Sequence, residues 1–380
     1  MKKLQKDVER INKLKFLLES EGVEILITGY EPNIRYLLGS PVDYAYAYIL
    51  KSGEVGVLCS ILERERAEIA TWADMIYAYT LSKEQRSEYT IYARNIYEAI
   101  AKLTSKFVSK GLKVAIDVDN LRYGEAVSIK RKLRGFKVVN FSDKLREARI
   151  MKTKFEIENI KRAVNIVIDG INYSISKLLK NNPSELEIFH EAEYYMKRKG
   201  AEKIHDFLIV ASGENSAYPH SRPTNRRIRD GDPVTLDYVA SYNGYYGDLT
   251  RTIFIGAPNK ELKKIYNVVK EALELGIEAA KEGVKASEVD KVVRDHISKE
   301  GYGKYFIHST GHGVGLEIHE PPRLSRVDST ILKERMIVTI EPGIYIKGLG
   351  GVRIEEDILI EKHGCKVLSS KLSTELTIVG

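Results

Sequence analysis

Two cysteines in 380 residues, Cys59 and Cys365, stand far apart in the chain. They exclude a disulfide framework and a cysteine-rich zinc site, and they suit a reducing cytoplasm. Long apolar runs are missing too: no stretch approaches the ~18 apolar residues that would suggest a membrane span. The opening MKKLQKDVERINKLK is charged from the start and has no apolar core, so no secretory leader is expected. Charge of one sign is also lacking, since 60 basic and 53 acidic residues are interspersed and leave a net charge of only +7. The densest basic stretches, IKRKLRGFK (129–137) and TNRRIR (224–229), accompany no nucleic-acid-binding motif and read as solvated faces. Neither nucleic acid nor membrane is an expected partner. Internal repeats and low-complexity tracts are absent.

What is present is an ordinary globular composition, 43% apolar, in a chain too long for one comfortable core. Residues 1–145 alternate helical and strand patterns. A helix is expected over 4–20, with others over 93–109 and 122–134. Candidate strands are VEILITG (23–29), YAYIL (46–50), EVGVLC (54–59), MIYAYT (75–80), KVAIDV (113–118) and KVVNF (137–141). That alternation predicts an α/β domain with a mixed sheet, and it carries no cluster of catalytic residue types. From about Leu145 the character changes. The charged start of 146–175 reads as a linker entering the first helix of a second, α+β domain (146–380). Ser184, with Glu187 three residues on, marks another helix start, and further helices are expected around 260–281 and 286–299.

The second domain opens with a puzzle. In DYVASYNGYYGDLTRT (237–252), two aspartates occupy what reads as a β-hairpin, although Asp is disfavoured in strands. Asn243-Gly244 is a strong type I′ turn signal. Tyr242 then pairs with Tyr245, Val239 with Asp248, and Asp237 with Thr250. Asp237 and Asp248 therefore share a face as diagonal neighbours. Like charges so placed need a proton or a cation between them.

Three later stretches share this oddity. IHSTGHGVGLEIHEPP (307–322) crowds His308, His312 and His319 among glycines. In a pure strand, His312 and His319 would face opposite ways. MIVTIEPGIYI (336–346) is an apolar strand ending in Glu341, an acid that is costly there unless paired. In GVRIEED (351–357), alternation puts Arg353, Glu355 and Asp357 on one face and Val352 and Ile354 on the other. The glycines around His312 do not make a phosphate loop, since no Walker lysine follows. Together Asp237, Asp248, Glu341 and Glu355, with one or two histidines, form an oxygen-rich ligand set with charge for two divalent ions.

These ordered motifs resemble those of the pita-bread metallopeptidases, the family of methionine aminopeptidase, aminopeptidase P and prolidase. EPNIRYLLG (31–39) adds a resemblance to the creatinase-like N-terminal domain of prolidases and aminopeptidases P. The resemblance therefore covers nearly the whole chain. It implies that Asp237 binds one metal, His312 and Glu341 the other, and that Asp248 and Glu355 bridge the pair. It makes Glu341 the general base toward a metal-bridging water, His319 the residue that steadies the intermediate, and His220 the histidine over the substrate. Arg353 would bind a substrate carboxylate or orient a ligand. The chain departs from the family pattern at Val239, where glycine is usual, and at Gly247, where serine is common.

The implied activity is hydrolysis of Xaa-Pro bonds, by a cytoplasmic homodimer acting on dipeptides or short peptides. The chain's compactness leans toward a dipeptidase, with aminopeptidase P the alternative. A metal-free creatinase-like hydrolase and a non-catalytic peptide-binding protein are opposed by the intact ligand set. Manganese or cobalt suits carboxylates with one imidazole, and zinc or iron could also bind.

Overall fold

The computed structural model describes residues 5–85, 87–178, 182–205 and 208–380. Two compact units divide the chain, Met1–Arg149 and Ile150–Gly380. In the first, a seven-stranded mixed sheet is built around the buried strand Val23–Thr28. This strand pairs antiparallel with Ala45–Leu50 and parallel with Lys113–Ile116. The near-continuous apolar character of the central strands fits burial on both faces. Ile25, Ile27, Leu58 and Val114 pack against Ala99, Ile100 and Leu103 of the helix Ile96–Phe107.

The charged stretch expected to be a linker is instead partly a helix, Ser142–Ile150. Its sequence hides this because its buried surface is small and partly polar. The Ala148 carbonyl accepts from Tyr36 Oη at 3.0 Å, and Arg149 Nη1 donates to Asn33 Oδ1 at 2.9 Å. The turn thus ends the first unit as a packed element.

The second unit begins with the 25-residue helix Lys154–Leu178. Glu185–Arg198 follows, started by the capping box expected at Ser184 and Glu187. Two further helices, Lys260–Ala279 and Ala286–Lys299, bury Val269, Leu273, Val293 and Ile297 against Val338, Ile340, Val352 and Ile358. Those last four residues lie on or beside a five-stranded sheet in the order Glu320–Leu324, Gly311–Gly313, Ile337–Ile340, Glu356–Glu361, Gly364–Val367. GVRIEED is not one continuous strand: Gly350–Arg353 pairs with Gly343–Ile346, and the chain breaks before Glu356–Glu361 joins the larger sheet. Among the described residues no helix is long and apolar enough to cross a membrane.

The hairpin occupies Pro233–Tyr242 and Tyr245–Ile255. Asn243 and Gly244 have φ of 48° and 79°, the two positive values that a type I′ turn needs. Tyr242 pairs with Tyr245, Val239 with Asp248 and Asp237 with Thr250, without a slip. One residue before Asp248, Gly247 faces away from it, toward the long helix. A Cβ there would lie 2.5 Å from Val164 N and 2.8 Å from Val164 Cα. Backbone cannot rotate aside as a side chain can, so the absence of serine at this position follows from the close approach of the helix. We expect Gly247→Ala to destabilise the fold by about 1–3 kcal/mol, the cost of overpacking. Chemical denaturation checks this, and an unchanged midpoint would mean that the helix can retreat without penalty.

Candidate metal centre

The hairpin delivers Asp248 to a buried pocket, where its backbone N–H donates to Asp357 Oδ2 at 2.9 Å. His312 enters on the short strand Gly311–Gly313. A Cβ at Gly311 would lie 1.9 Å from the Thr339 carbonyl oxygen, and one at Gly313 2.5 Å from that of Pro321. The flanking glycines thus let the strand thread between two neighbours. The His312 N–H donates to Thr339 Oγ1 at 3.1 Å, and its Nδ1 donates to the Gly313 carbonyl at 3.1 Å. That bond fixes the tautomer of the neutral ring. The unprotonated Nε2 then faces Glu341 Oε1 at 3.6 Å and Asp248 Oδ2 at 3.8 Å.

Glu341 follows the strand Ile337–Ile340 and is held by its N–H to the Thr310 carbonyl at 2.7 Å. Glu355 lies in the break of GVRIEED, where its N–H donates to the Thr250 carbonyl at 3.1 Å. Thr250 Oγ1 also donates to Glu355 Oε2 at 2.7 Å. Asp248, His312 and Glu355 each offer a donor atom, all within 4.8 Å of one another, and all three residues are buried. This is the cluster among the described residues that could hold a metal.

Its electrostatics fit a cation. Burial, then the nearby Asp237, pushes the Asp248 carboxyl well above the usual range. Burial and the Asp248 charge do the same to Glu355. Burial pushes Glu341 up to about 8. His312 is driven down to about 3, mainly by burial and next by His319, and so stays a neutral nitrogen donor. Carboxylates that resist ionising beside a neutral imidazole form a set that gains from a divalent ion.

Arg353 supplies positive charge at one side. Its Nη2 pairs with Asp237 Oδ2 at 2.5 Å, and its Nε donates to Thr250 Oγ1 at 3.1 Å. Its Nη1 donates to Tyr345 Oη at 2.7 Å and to the Pro219 carbonyl at 3.3 Å. Asp237 is therefore turned to Arg353, outside the tight trio, although its charge still acts on Asp248, Glu341 and Glu355.

His319 does not face away from His312. The strand ends at Gly313 and the chain loops back, so the two rings meet edge to face with centroids 4.3 Å apart. Strand alternation gave the wrong expectation because residues 314–319 are not strand. His220 is exposed in the loop after Gly213–Ala217, and its charge acts on both His308 and His319.

Two residues given no role from the sequence also belong to this region. His308 Nδ1 donates to the Ser309 carbonyl at 2.8 Å, so its Nε2 accepts from Tyr345 Oη at 2.9 Å. Burial, then Arg353, lowers its pKa to about 4, and its Nδ1 lies 4.0 Å from Glu341 Oε2. His308 stood in the histidine-rich stretch and was visible. Tyr345, four residues after Glu341, gave no signal of its own.

Residues 158–362 match metallopeptidase family M24, and residues 10–151 match the Creatinase/Prolidase N-terminal domain. A Xaa-Pro dipeptidase of Pyrococcus horikoshii is 38% identical over 366 residues, covering 95% of this chain and 97% of that protein. A solved Xaa-Pro dipeptidase from Bacillus anthracis superposes with a TM-score of 0.87 at 34% identity, over 98% of this chain and 99% of that one. An X-Pro aminopeptidase from Thermotoga maritima gives 0.85 at 28% identity, over 94% and 98%. With buried acids and a neutral histidine converging on one pocket, and with the model of the family covering more than half of the sequence, the chain belongs to metallopeptidase family M24.

Proposed function

We propose that this protein is a Xaa-Pro dipeptidase that works with two divalent cations. The observation that carries this reading is the buried Asp248–His312–Glu355 trio with Glu341 against it. In this reading Asp237, Asp248, His312, Glu341 and Glu355 would together hold the two ions, with the buried trio at the centre of the set. Manganese or cobalt matches the donor set best. Bound there, the ions supply Lewis acidity and make water acidic enough to attack at neutral pH.

The chain's own residues do the rest. Glu341 turns Oε1 toward His312 and leaves Oε2 on the His308 side. Oε2 is the atom we assign to take a proton from the attacking water and pass it to the leaving nitrogen. His319, whose pKa is lowered mainly by burial and next by Arg323, is neutral and donates an N–H to the oxygen that gains charge as the carbonyl is attacked. His220 lies over the substrate. Every nitrogen of Arg353 already has a protein acceptor, which supports a ligand-orienting role over capture of a substrate carboxylate. The Xaa-Pro bond is a tertiary amide with no N–H, and nothing in this arrangement needs that hydrogen.

High identity to a dipeptidase over nearly the whole chain supports the dipeptidase reading. The likeness to an X-Pro aminopeptidase keeps tripeptides as the alternative. The family pattern also suggests a cytoplasmic homodimer, which sedimentation can test.

Protein loaded with Mn²⁺ or Co²⁺ should cleave Met-Pro and leave Met-Pro-Ala intact, and a chelator should stop the reaction. Faster cleavage of the tripeptide would make this an aminopeptidase, and no cleavage of either would remove the proposal. Glu341→Ala should abolish turnover while circular dichroism and thermal unfolding remain those of a folded protein. Removing the hydroxyl that holds Glu355, in Thr250→Val, should weaken Mn²⁺ binding about 10- to 100-fold, as other losses of ligand support do. Titration calorimetry reads this directly, and unchanged affinity would mean that Glu355 needs no such support.

A further inference from the structure

Glu185 is completely buried in the first turn of the helix Glu185–Arg198. A carboxylate in that position is costly unless donors surround it, and here they do. Its Oε1 accepts from the Ser212 N–H at 2.7 Å, Ser212 Oγ at 2.8 Å and Asn215 Nδ2 at 3.1 Å. Its Oε2 accepts from Asn215 Nδ2 at 3.1 Å, the Thr224 N–H at 3.0 Å and Thr224 Oγ1 at 2.6 Å. The helix N-terminus adds a favourable dipole.

The identity of these donors matters more than their number. Ser212 ends the strand Ile209–Ser212, which pairs with the strand of Asp237. Thr224 lies beyond Pro223, and the segment between Ser212 and Thr224 carries His220. Both ends of the loop, and Asn215 within it, therefore converge on one side chain, closing the base of a compact loop. The opposite side of the loop is tied to the ligand-bearing region. Ser216 Oγ accepts from the Gly351 N–H at 2.8 Å, and the Pro219 carbonyl accepts from Arg353 Nη1 at 3.3 Å. His220 itself is exposed. Its position is thus set by these anchors along its loop, and the largest of them is Glu185.

We propose that Glu185 is a positioning residue for the reaction, fixing both ends of the loop that carries His220. The proposal rests on the reading of His220 as the histidine over the substrate. A residue that merely stabilised the fold would also be buried and bonded, so the test must ask whether Glu185 acts through His220.

A double-mutant cycle does so. Glu185→Gln, His220→Ala and the double variant are made in the full-length, Mn²⁺-loaded protein. For each, kcat/KM on Met-Pro is measured well below its thermal midpoint, with enzyme concentration raised for weak variants, and Mn²⁺ affinity is titrated. We expect Glu185→Gln to lower kcat/KM about tenfold, since misplacing a reacting group by an ångström costs up to about 100-fold. Mn²⁺ affinity should be unchanged, and in the His220→Ala background the same substitution should cost less than twofold. Equal losses in both backgrounds, or no loss with His220 present, would overturn the proposal while leaving the peptidase reading intact. If His220→Ala alone cost nothing, the reading of His220 would fall and the proposal with it. Should Glu185→Gln not fold, Thr224→Val and Asn215→Ala enter the same cycle. Each removes part of the anchor and should give smaller losses that again vanish without His220.

Discussion

Carboxylates gathered in one buried pocket repel one another: Asp237 and Glu341 act on both Asp248 and Glu355, Asp248 acts on Glu355, and Asp237 acts on Glu341. Such an arrangement persists only if positive charge, donors or protons balance it. The elements around the pocket can be read as answers to that demand. The hairpin turn puts two aspartates on one face, the glycines beside His312 let its strand sit close to its neighbours, and Arg353 supplies a fixed cation. Two divalent ions would balance the remainder, which is why the chemistry proposed here and the stability of the pocket are one problem.

The same demand explains why acids follow one another in GVRIEED. Glu355 turns to Thr250 and the metal pocket. Glu356 turns the other way, where it pairs with buried Arg251 and accepts from Ser369 Oγ. Arg251 in turn donates to the carbonyls of Thr250 and Glu355 at 2.9 and 2.7 Å, and to those of Leu372 and Ser373 at 2.9 and 2.8 Å. Two arginine-bearing networks thus meet at the strand Tyr245–Ile255, where Thr250 enters one and the next residue, Arg251, the other. Thr250 orients Glu355 toward the pocket and Arg353 holds Asp237 beside it, whereas Arg251 and Glu356 tie down the neighbouring backbone. Neither guanidinium could replace the other, because the planar fork of each meets a different set of acceptors.

Local periodicity was the legible part of the sequence. The hairpin register followed from Asn243-Gly244 alone, and the helix after Ser184 from its cap, because both signals lie within a few residues. The mixed sheet of the first unit was readable from its apolar strands. The helix Ser142–Ile150 was not, since what it buries includes a carbonyl and an arginine rather than an apolar stripe. The relation of His312 to His319 was misread for a similar reason. Alternation holds only while a strand lasts, and this one ends at Gly313.

Side-chain networks were the illegible part. Nothing in the spacing of Tyr345 says that it accepts from Arg353 and donates to His308, because that geometry needs two separate strands and a loop to be in place. Glu185 is the extreme case. In sequence it looks like a helix-starting acid of the kind that usually faces water. Its donors come from 27, 30 and 39 residues away, so only the folded chain reveals that this acid closes a loop. What separates it from Glu187, which helps cap the same helix and is exposed enough to pair with Arg227 at the surface, is the direction each side chain leaves the helix. Residues two apart on a helix do not share a face, so one acid served the cap and the other was free to become the anchor of the His220 loop.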